Sequence, residues 1–278
     1  MRVDDYFVTL ARSIVERGKL RSKSPLPKGL QREIIRAYRR LGRHVSSNPI
    51  DLLGYRISFL GEIEFRFLFK EIFLEASYFF QADSDRPLIF DCGSNIGMSV
   101  LFFKKLYPNA RIVAFEPDPL TFETLRRNVD QNHLSAVELH QLALSDRVAD
   151  IELFRDDPPG SSSLLTSTVR QRHGGPSILV RSERLSELIT SDIDLLKIDV
   201  EGAEEAIMRD LASTGKLRLA RRLHLEYHHH IDASLDNLSS MLRLLEENGF
   251  GYQLRANTFA RWPGEASVQD ISIYGYRK

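Results

Sequence analysis

The chain has a single cysteine, Cys92, among 278 residues. No internal disulfide can form, and one thiol fits a reducing compartment, so a cytoplasmic location is the expectation. Neither sign of charge is in excess: 38 Lys+Arg balance 38 Asp+Glu, and the whole-chain balance gives no indication of nucleic acid. No uncharged apolar run reaches the ~20 residues of a membrane span. The opening Met1-Arg-Val-Asp-Asp5 lacks the charged-then-apolar order of a signal peptide. Internal repeats and low-complexity tracts are missing, and so is the G-x-G-x-x-G fingerprint of a dinucleotide site.

What is present is organised around Leu88-Ile-Phe-Asp-Cys-Gly-Ser-Asn-Ile-Gly97. An apolar run after Pro87 reads as a buried strand ending at Asp91, followed by a turn with Gly93 and Gly97 around Ser94 and Asn95. A helix from Met98 to Tyr107 follows, closed by Pro108 and Asn109. Strand, glycine turn and helix form the first unit of a nucleotide-binding α/β sheet. A carboxylate at the strand end is awkward beside a pyrophosphate. It suits a ligand with a positive amino group, and S-adenosylmethionine (SAM) has one alongside a sulfonium. A second strand, Arg111 to Glu116, ends in an acid about 20 residues after the turn, where a ribose hydroxyl pair is gripped. Glu116-Pro-Asp-Pro119 behind it favours SAM over a dinucleotide. Cys92 reads as a small core residue, because no activating base is evident.

With 42% hydrophobic residues the chain can bury one large core and a smaller appendage. A helical extension over residues 1–85 and a catalytic domain over 86–278 are predicted, divided at the polar break Asp83-Ser-Asp-Arg-Pro87. The extension holds helices at 4–20 and 28–45, split by Ser22 to Pro27. Residues 1–45 carry 12 Lys+Arg against 4 Asp+Glu, leaving 26 against 34 in the rest. Arg32, Arg36, Arg39, Arg40 and Arg43 form either a solvated face or a patch for an acidic partner or membrane surface. The aromatic segment 55–80 predicts a helix at 61–75, either packed on the sheet or lining a pocket.

After a helix from Pro119 to Asn132, a third strand spans Val137 to Leu142. Ala143-Leu-Ser-Asp146 closes it, where Ala143, Leu144 and Ser145 would border an adenine ring. Ile151–Phe154 and Ser177–Arg181 look like extra strands. The Asp156–Ser163 loop between them is either a surface connection or a flap whose Ser161 to Ser163 bond a ligand. A short helix over Ser182–Leu188 and a buried strand over Asp194–Asp199 come next. Val200-Glu-Gly-Ala-Glu-Glu205 opens a helix. A strand from Arg221 ends among Glu226, His228, His229 and His230, followed by a helix at 234–248 and two last strands, 250–254 and 269–276. The pattern predicts a seven-stranded, mostly parallel sheet with an antiparallel last strand.

These residues resemble the FkbM family of SAM-dependent methyltransferases. The likeness rests on Asp91-Cys-Gly-Ser-Asn-Ile-Gly97, Phe115-Glu-Pro-Asp-Pro119, Lys197-Ile-Asp-Val-Glu-Gly-Ala-Glu204 and Leu225-Glu-Tyr-His228, and covers about residues 55–255. Ser94 stands where the family usually has Ala. The resemblance implies a class I, Rossmann-like methyltransferase fold and methylation of hydroxyls on sugars or on sugar-bearing and polyketide products. It implies cofactor contacts from Asp91, Gly93, Ser94, Asn95, Gly97, Ser99, Glu116, Pro117, Asp118, Ala143, Leu144, Ser145 and Asp199.

A hydroxyl acceptor is weakly nucleophilic while protonated, so a base or a metal helps. Two strand ends qualify. One holds Asp199 and Glu201; the other holds Glu226 and His228, which project to one side of their strand. His228 is the expected base, with Glu226 orienting it or binding the acceptor. Asp199 also reads as a cap for a helix starting near Gly202. His224, Glu226, His228 and Asp199 have the chemistry of metal ligands, although no required metal is expected. The partner is a small-molecule or glycan acceptor. Methylation of RNA or protein, and SAM binding without catalysis, are the competing functions.

Overall fold

A computed structural model of the chain describes residues 24–42, 45, 47–155, 167, 176–229, 237–256 and 269–278. The helix expected at 4–20, Arg43, the Asp156–Ser163 loop and His230 lie outside these residues.

Helix α1 (Lys28–Arg40) buries Ile34 and Ala37. A hairpin of β1 (Ile50–Leu52) and β2 (Tyr55–Ile57) follows. No strand was expected there. Its turn places Leu53 at φ 58° and Gly54 at φ 83°, the pair of positive φ values a two-residue hairpin turn demands. Leucine in place of the usual Asn or Asp hides that signal. The helix expected at 61–75 is α2 (Glu62–Leu68), continued by a π-helical turn over Phe69–Leu74.

The main sheet is built from β3 (Leu88–Cys92), β4 (Arg111–Phe115) and β5 (Val137–His140), then four strands from later in the chain. Helix α3 (Met98–Leu106) connects the first two strands and α4 (Pro119–Gln131) the next two. Ala143–Ser145 does not close the third strand. It is β6 of a separate three-stranded sheet with β7 (Ala149–Phe154) and β8 (Ser177–Arg184). Strand β8 takes Ser182 to Arg184 from the helix expected at Ser182–Leu188. The Ser182 hydroxyl shares its one proton between the carbonyls of Arg147 and Ala149, which holds it in the sheet, and only α5 (Leu185–Leu188) remains helical.

Strand β9 (Leu195–Ile198), helix α6 (Glu204–Ser213), strand β10 (Arg222–His229), helix α7 (Leu238–Glu247), β11 (Phe250–Ala256) and β12 (Gln269–Arg277) complete the described chain. The main sheet runs β11-β12-β10-β9-β3-β4-β5. Strand β12 pairs antiparallel with β10 and β11, and the other pairings are parallel. The last strand is therefore the antiparallel insertion expected. From β3 the chain winds outward to β5, then returns to β9 on the other side of β3. That reversal opens a crevice at the carboxyl ends of β3 and β9, the usual ligand position in such sheets.

Among the described residues the N-terminal segment shares the core of the sheet. Phe65, Phe69 and Phe73 form one buried cluster with Ile89 of β3 and Phe102 of α3. The Phe69 and Phe73 rings stack at 5.1 Å, and Phe73 meets Phe102 edge-on at 5.3 Å. Asn128 of α4 ties the segment down, donating to the carbonyls of Ser58 and Ile96.

Candidate active site

The turn after β3 is clamped from two sides. The amides of Gly93 and Ser94 donate to the Phe115 carbonyl, and the Ser94 hydroxyl donates to the Asp91 carbonyl. Gly93 has φ 82°, and a Cβ there would lie 1.7 Å from the Asp199 carbonyl oxygen, so only glycine lets the ends of β3 and β9 meet. Gly97 has φ 88°, and its Cβ would meet Leu125.

Asp91 departs from its expected role. Its carboxylate is fully buried, accepts from the Ser99 hydroxyl at 2.5 Å and sits 3.3 Å from the Lys197 ammonium. It holds the turn from beneath and offers no open carboxylate to a ligand's amino group; Ser99, itself buried, serves Asp91. Asp118 departs likewise. It caps α4 by accepting from the amides of Leu120 and Thr121 and pairs with Arg155. Ala143 and Leu144 are packed in hydrophobic clusters, which leaves Ser145, bonded to Asp146, as the polar group of that stretch.

Glu116 stands at the end of β4 as expected, with half-buried Pro117 after it. Its two oxygens accept from the amides of Asn95 and Asp118, both at 3.0 Å. Burial pushes its pKa up to about 8 despite those bonds.

At the end of β9, Lys197 is 1% exposed. Its ammonium lies 3.3 Å from Asp91 and 3.4 Å from Asp199, and donates to the Gly93 carbonyl at 2.6 Å. Burial alone would discharge it; Asp91 and Asp199 hold its pKa above the ordinary lysine value. Asp199 also accepts from the Tyr78 hydroxyl at 3.0 Å. Burial would raise the Asp199 pKa, but Lys197, His228 and Tyr78 bring it below the usual value. Asp199 is not a helix cap, because α6 begins at Glu204 after Ala203. Between them, Glu201 adopts φ 58°, a left-handed conformation that is strained for a residue with a Cβ. Its carbonyl accepts from the Ser167 hydroxyl at 2.5 Å.

His228, on β10, is 4% exposed. Its Nδ1 lies 2.8 Å from Glu204. Glu204 already accepts from the Gly202 amide, so it acts as an acceptor and Nδ1 donates. Glu204, rather than Glu226, therefore orients the imidazole. The other nitrogen, Nε2, lies 3.0 Å from Glu201 and 4.0 Å from Asp199. Register brings Asp270 of β12 directly across from His228.

The cleft is crowded with acid. Burial, then Asp199 and Glu75, push Glu71 up to about 8, and burial, then Asp199 and Glu71, hold Glu226 well above the ordinary range. Asp199, Glu201 and His228 offer ligand-type atoms within 4.8 Å of one another, and so do Glu226, His228 and Asp270. Either trio has the donors of a divalent-ion site. His224 belongs to neither. It lies buried between the rings of Tyr78 and Tyr274, and burial, then Lys197, lowers its pKa to about 3.

Sequence reading quoted Lys197 only as part of a motif, gave Glu204 no more than service to the helix dipole, and missed Glu71, Tyr78 and Asp270. Glu71 and Tyr78 sit in an aromatic segment that reads as core, and Asp270 requires the strand register.

A parallel sheet with one antiparallel insertion, and with a glycine turn and strand-end carboxylates at its switch point, defines the class I methyltransferase fold. Residues 91–252 match the Methyltransferase FkbM domain, and the chain belongs to that family. It is similar to Methyltransferase 1 of Beauveria bassiana, at 35% identity over 170 residues, 54% of this chain and 68% of the relative. The 31-O-demethyl-FK506 methyltransferase FkbM of Streptomyces tacrolimicus is 29% identical over 68% of this chain and 84% of its own length. The 2-O-methyltransferase NoeI of Sinorhizobium fredii is 32% identical over 51% of this chain and 63% of its own. A crystal structure of Methyltransferase FkbM from Methylobacillus flagellatus aligns with a TM-score of 0.49 at 18% identity, over 98% of this chain and 61% of that one. Among the described residues no helix is long and apolar enough to cross a membrane.

Proposed function

We propose that the protein is a SAM-dependent O-methyltransferase acting on a hydroxyl of a glycan or of a glycosylated or polyketide-type metabolite. The relatives named for 31-O-demethyl-FK506 and for 2-O-methylation support oxygen as the atom modified. The donor is supported by charge. Burial first, and then more carboxylates than Lys197 answers, make Glu71 and Glu226 resist ionisation. A sulfonium and an amino group supply the missing positive charge. Glu116 and the Gly93–Asn95 backbone are the groups for the ribose and the methionine portion.

When bound, SAM supplies a methyl group that is already activated. The chain's part is to position the acceptor and receive its proton. Glu204 keeps Nδ1 of His228 donating, so Nε2 is the nitrogen that exchanges a proton; 3.0 Å from Glu201, it shares one with that carboxylate at rest and takes the acceptor's proton once this one has passed to Glu201. The captured proton then lies beside Glu201, and the ring rests between Glu201 and Glu204. Glu226, with its raised pKa, keeps a proton with which to bond an acceptor oxygen. Tyr78 and Lys197 hold Asp199 ionised at the side of this pair. The Glu204–His228–Glu201 arrangement is the observation that carries this reading.

Incubating the purified chain with labelled SAM and separate glycan, macrolide, lipid and RNA fractions tests it. A methyl ether in a hydroxylated acceptor, with release of S-adenosylhomocysteine, is expected; label in RNA alone refutes the assignment. His228→Gln should lower kcat by roughly 10²–10⁴-fold while calorimetry shows SAM affinity little changed. Turnover should also survive EDTA. Loss of turnover that manganese restores would reassign His228 from base to metal ligand.

A further inference from the structure

Helix α1 carries a feature that the cleft does not use. At 100° per residue, Lys28, Arg32, Arg36, Arg39 and Arg40 fall within one arc of about 120°, turned away from buried Ile34 and Ala37. All five are exposed, and none makes an ion pair among the described residues. The helix's one acid, Glu33, lies beside that arc and is engaged by Lys105 at 2.9 Å.

Local energetics do not favour this array. Like charges at i,i+4 oppose helix formation. Lys28 sits at the helix N-terminus, where the dipole repels a cation. The first turn contains no acid, and Pro27 supplies no side-chain cap. The helix is held by its apolar face against the aromatic segment, and the charged face is left to solvent.

We propose that α1 docks the protein onto an anionic lipid bilayer surface. The row of cations extends about 18 Å along the axis from the helical rise, and it lies on a convex helix face. A polynucleotide is tracked by a groove with aromatic platforms, whereas none of the exposed large apolar side chains is on α1. The distribution of charge over the whole chain also fits a flat anionic surface. Residues 1–45 hold 12 Lys+Arg against 4 Asp+Glu, and the remainder holds 26 against 34. A neutral chain divided in this way offers α1 as its basic segment to an anionic surface. Each cation near such a surface strengthens binding roughly fivefold, an effect confined to a Debye length and weakened by salt.

Flotation of the full chain with phosphatidylcholine vesicles, with and without phosphatidylserine, tests the proposal. Binding should rise at least about tenfold with the anionic lipid and fall at high salt. The variant combining Arg32→Gln, Arg36→Gln, Arg39→Gln and Arg40→Gln should lose that increment while retaining the parent's circular dichroism spectrum and its turnover of a dissolved acceptor. Equal binding to both vesicle types, or full retention by the variant, overturns the proposal. Retention on heparin or RNA without vesicle binding also overturns it.

Discussion

One ammonium, that of Lys197, answers two carboxylates at the junction of β3 and β9. Removing the charge leaves Asp91 buried and uncompensated. Lys197→Met should therefore destabilise the fold by about 3–5 kcal/mol, measured by urea unfolding. Tyr78→Phe removes only the hydroxyl that donates to Asp199, a loss of about 1 kcal/mol in stability, and should lower kcat more than it changes KM for SAM. A purely structural role would move the first quantity and not the second. At this scale the sequence was partly legible. Residue type and motif position pointed to Asp199, Glu201, Glu226 and His228. They could not reveal that Asp91 is enclosed or that Glu204 reaches Nδ1, because both facts depend on how neighbouring strands are staggered.

At the scale of elements, α4 shows how a short signal can be read in two ways. Glu116-Pro-Asp-Pro119 marks both a ribose-binding acid and a helix start. Asp118, one residue before a proline at the first helical position, belongs to the second. Asp118→Ala should lower the melting temperature through a loss of about 1 kcal/mol, with SAM affinity unchanged by calorimetry. The glycine turn and the parallel strands were legible because a buried strand bounded by glycine and proline leaves a strong pattern. The β1–β2 hairpin was hidden by Leu53; of the second sheet β7 and β8 were legible and only β6 was hidden, since three residues carry too little periodicity to separate a strand from a connection.

Taken whole, the molecule concentrates acid at one end of its sheet, and this sets its response to pH. Folding raises Glu71 and Glu116 from an ordinary 4.5 to about 8. The folded state thus holds those protons more tightly, so the associated stability is present below about 4.5 and is lost as pH rises through 8. Asp199 works in the opposite direction, and its contribution disappears only in acid, below its ordinary 3.8. The melting temperature should decline from about pH 4.5 to about pH 8 and level off above it, and Glu71→Gln should flatten that decline. A parallel decline in the variant would show that the cleft does not govern it.

The position of the family match along the chain bears on how the protein is handled. Glu71 and Tyr78 precede residue 91, and Asp270 follows residue 252. A fragment trimmed to those borders would keep the glycine turn and His228 yet lose the hydroxyl on Asp199, the neighbour opposite the imidazole and an acid of the surrounding wall. Swapping this domain into another scaffold, or comparing relatives over the shared stretch alone, would therefore omit groups that both ends of the polypeptide deliver to the reaction chamber.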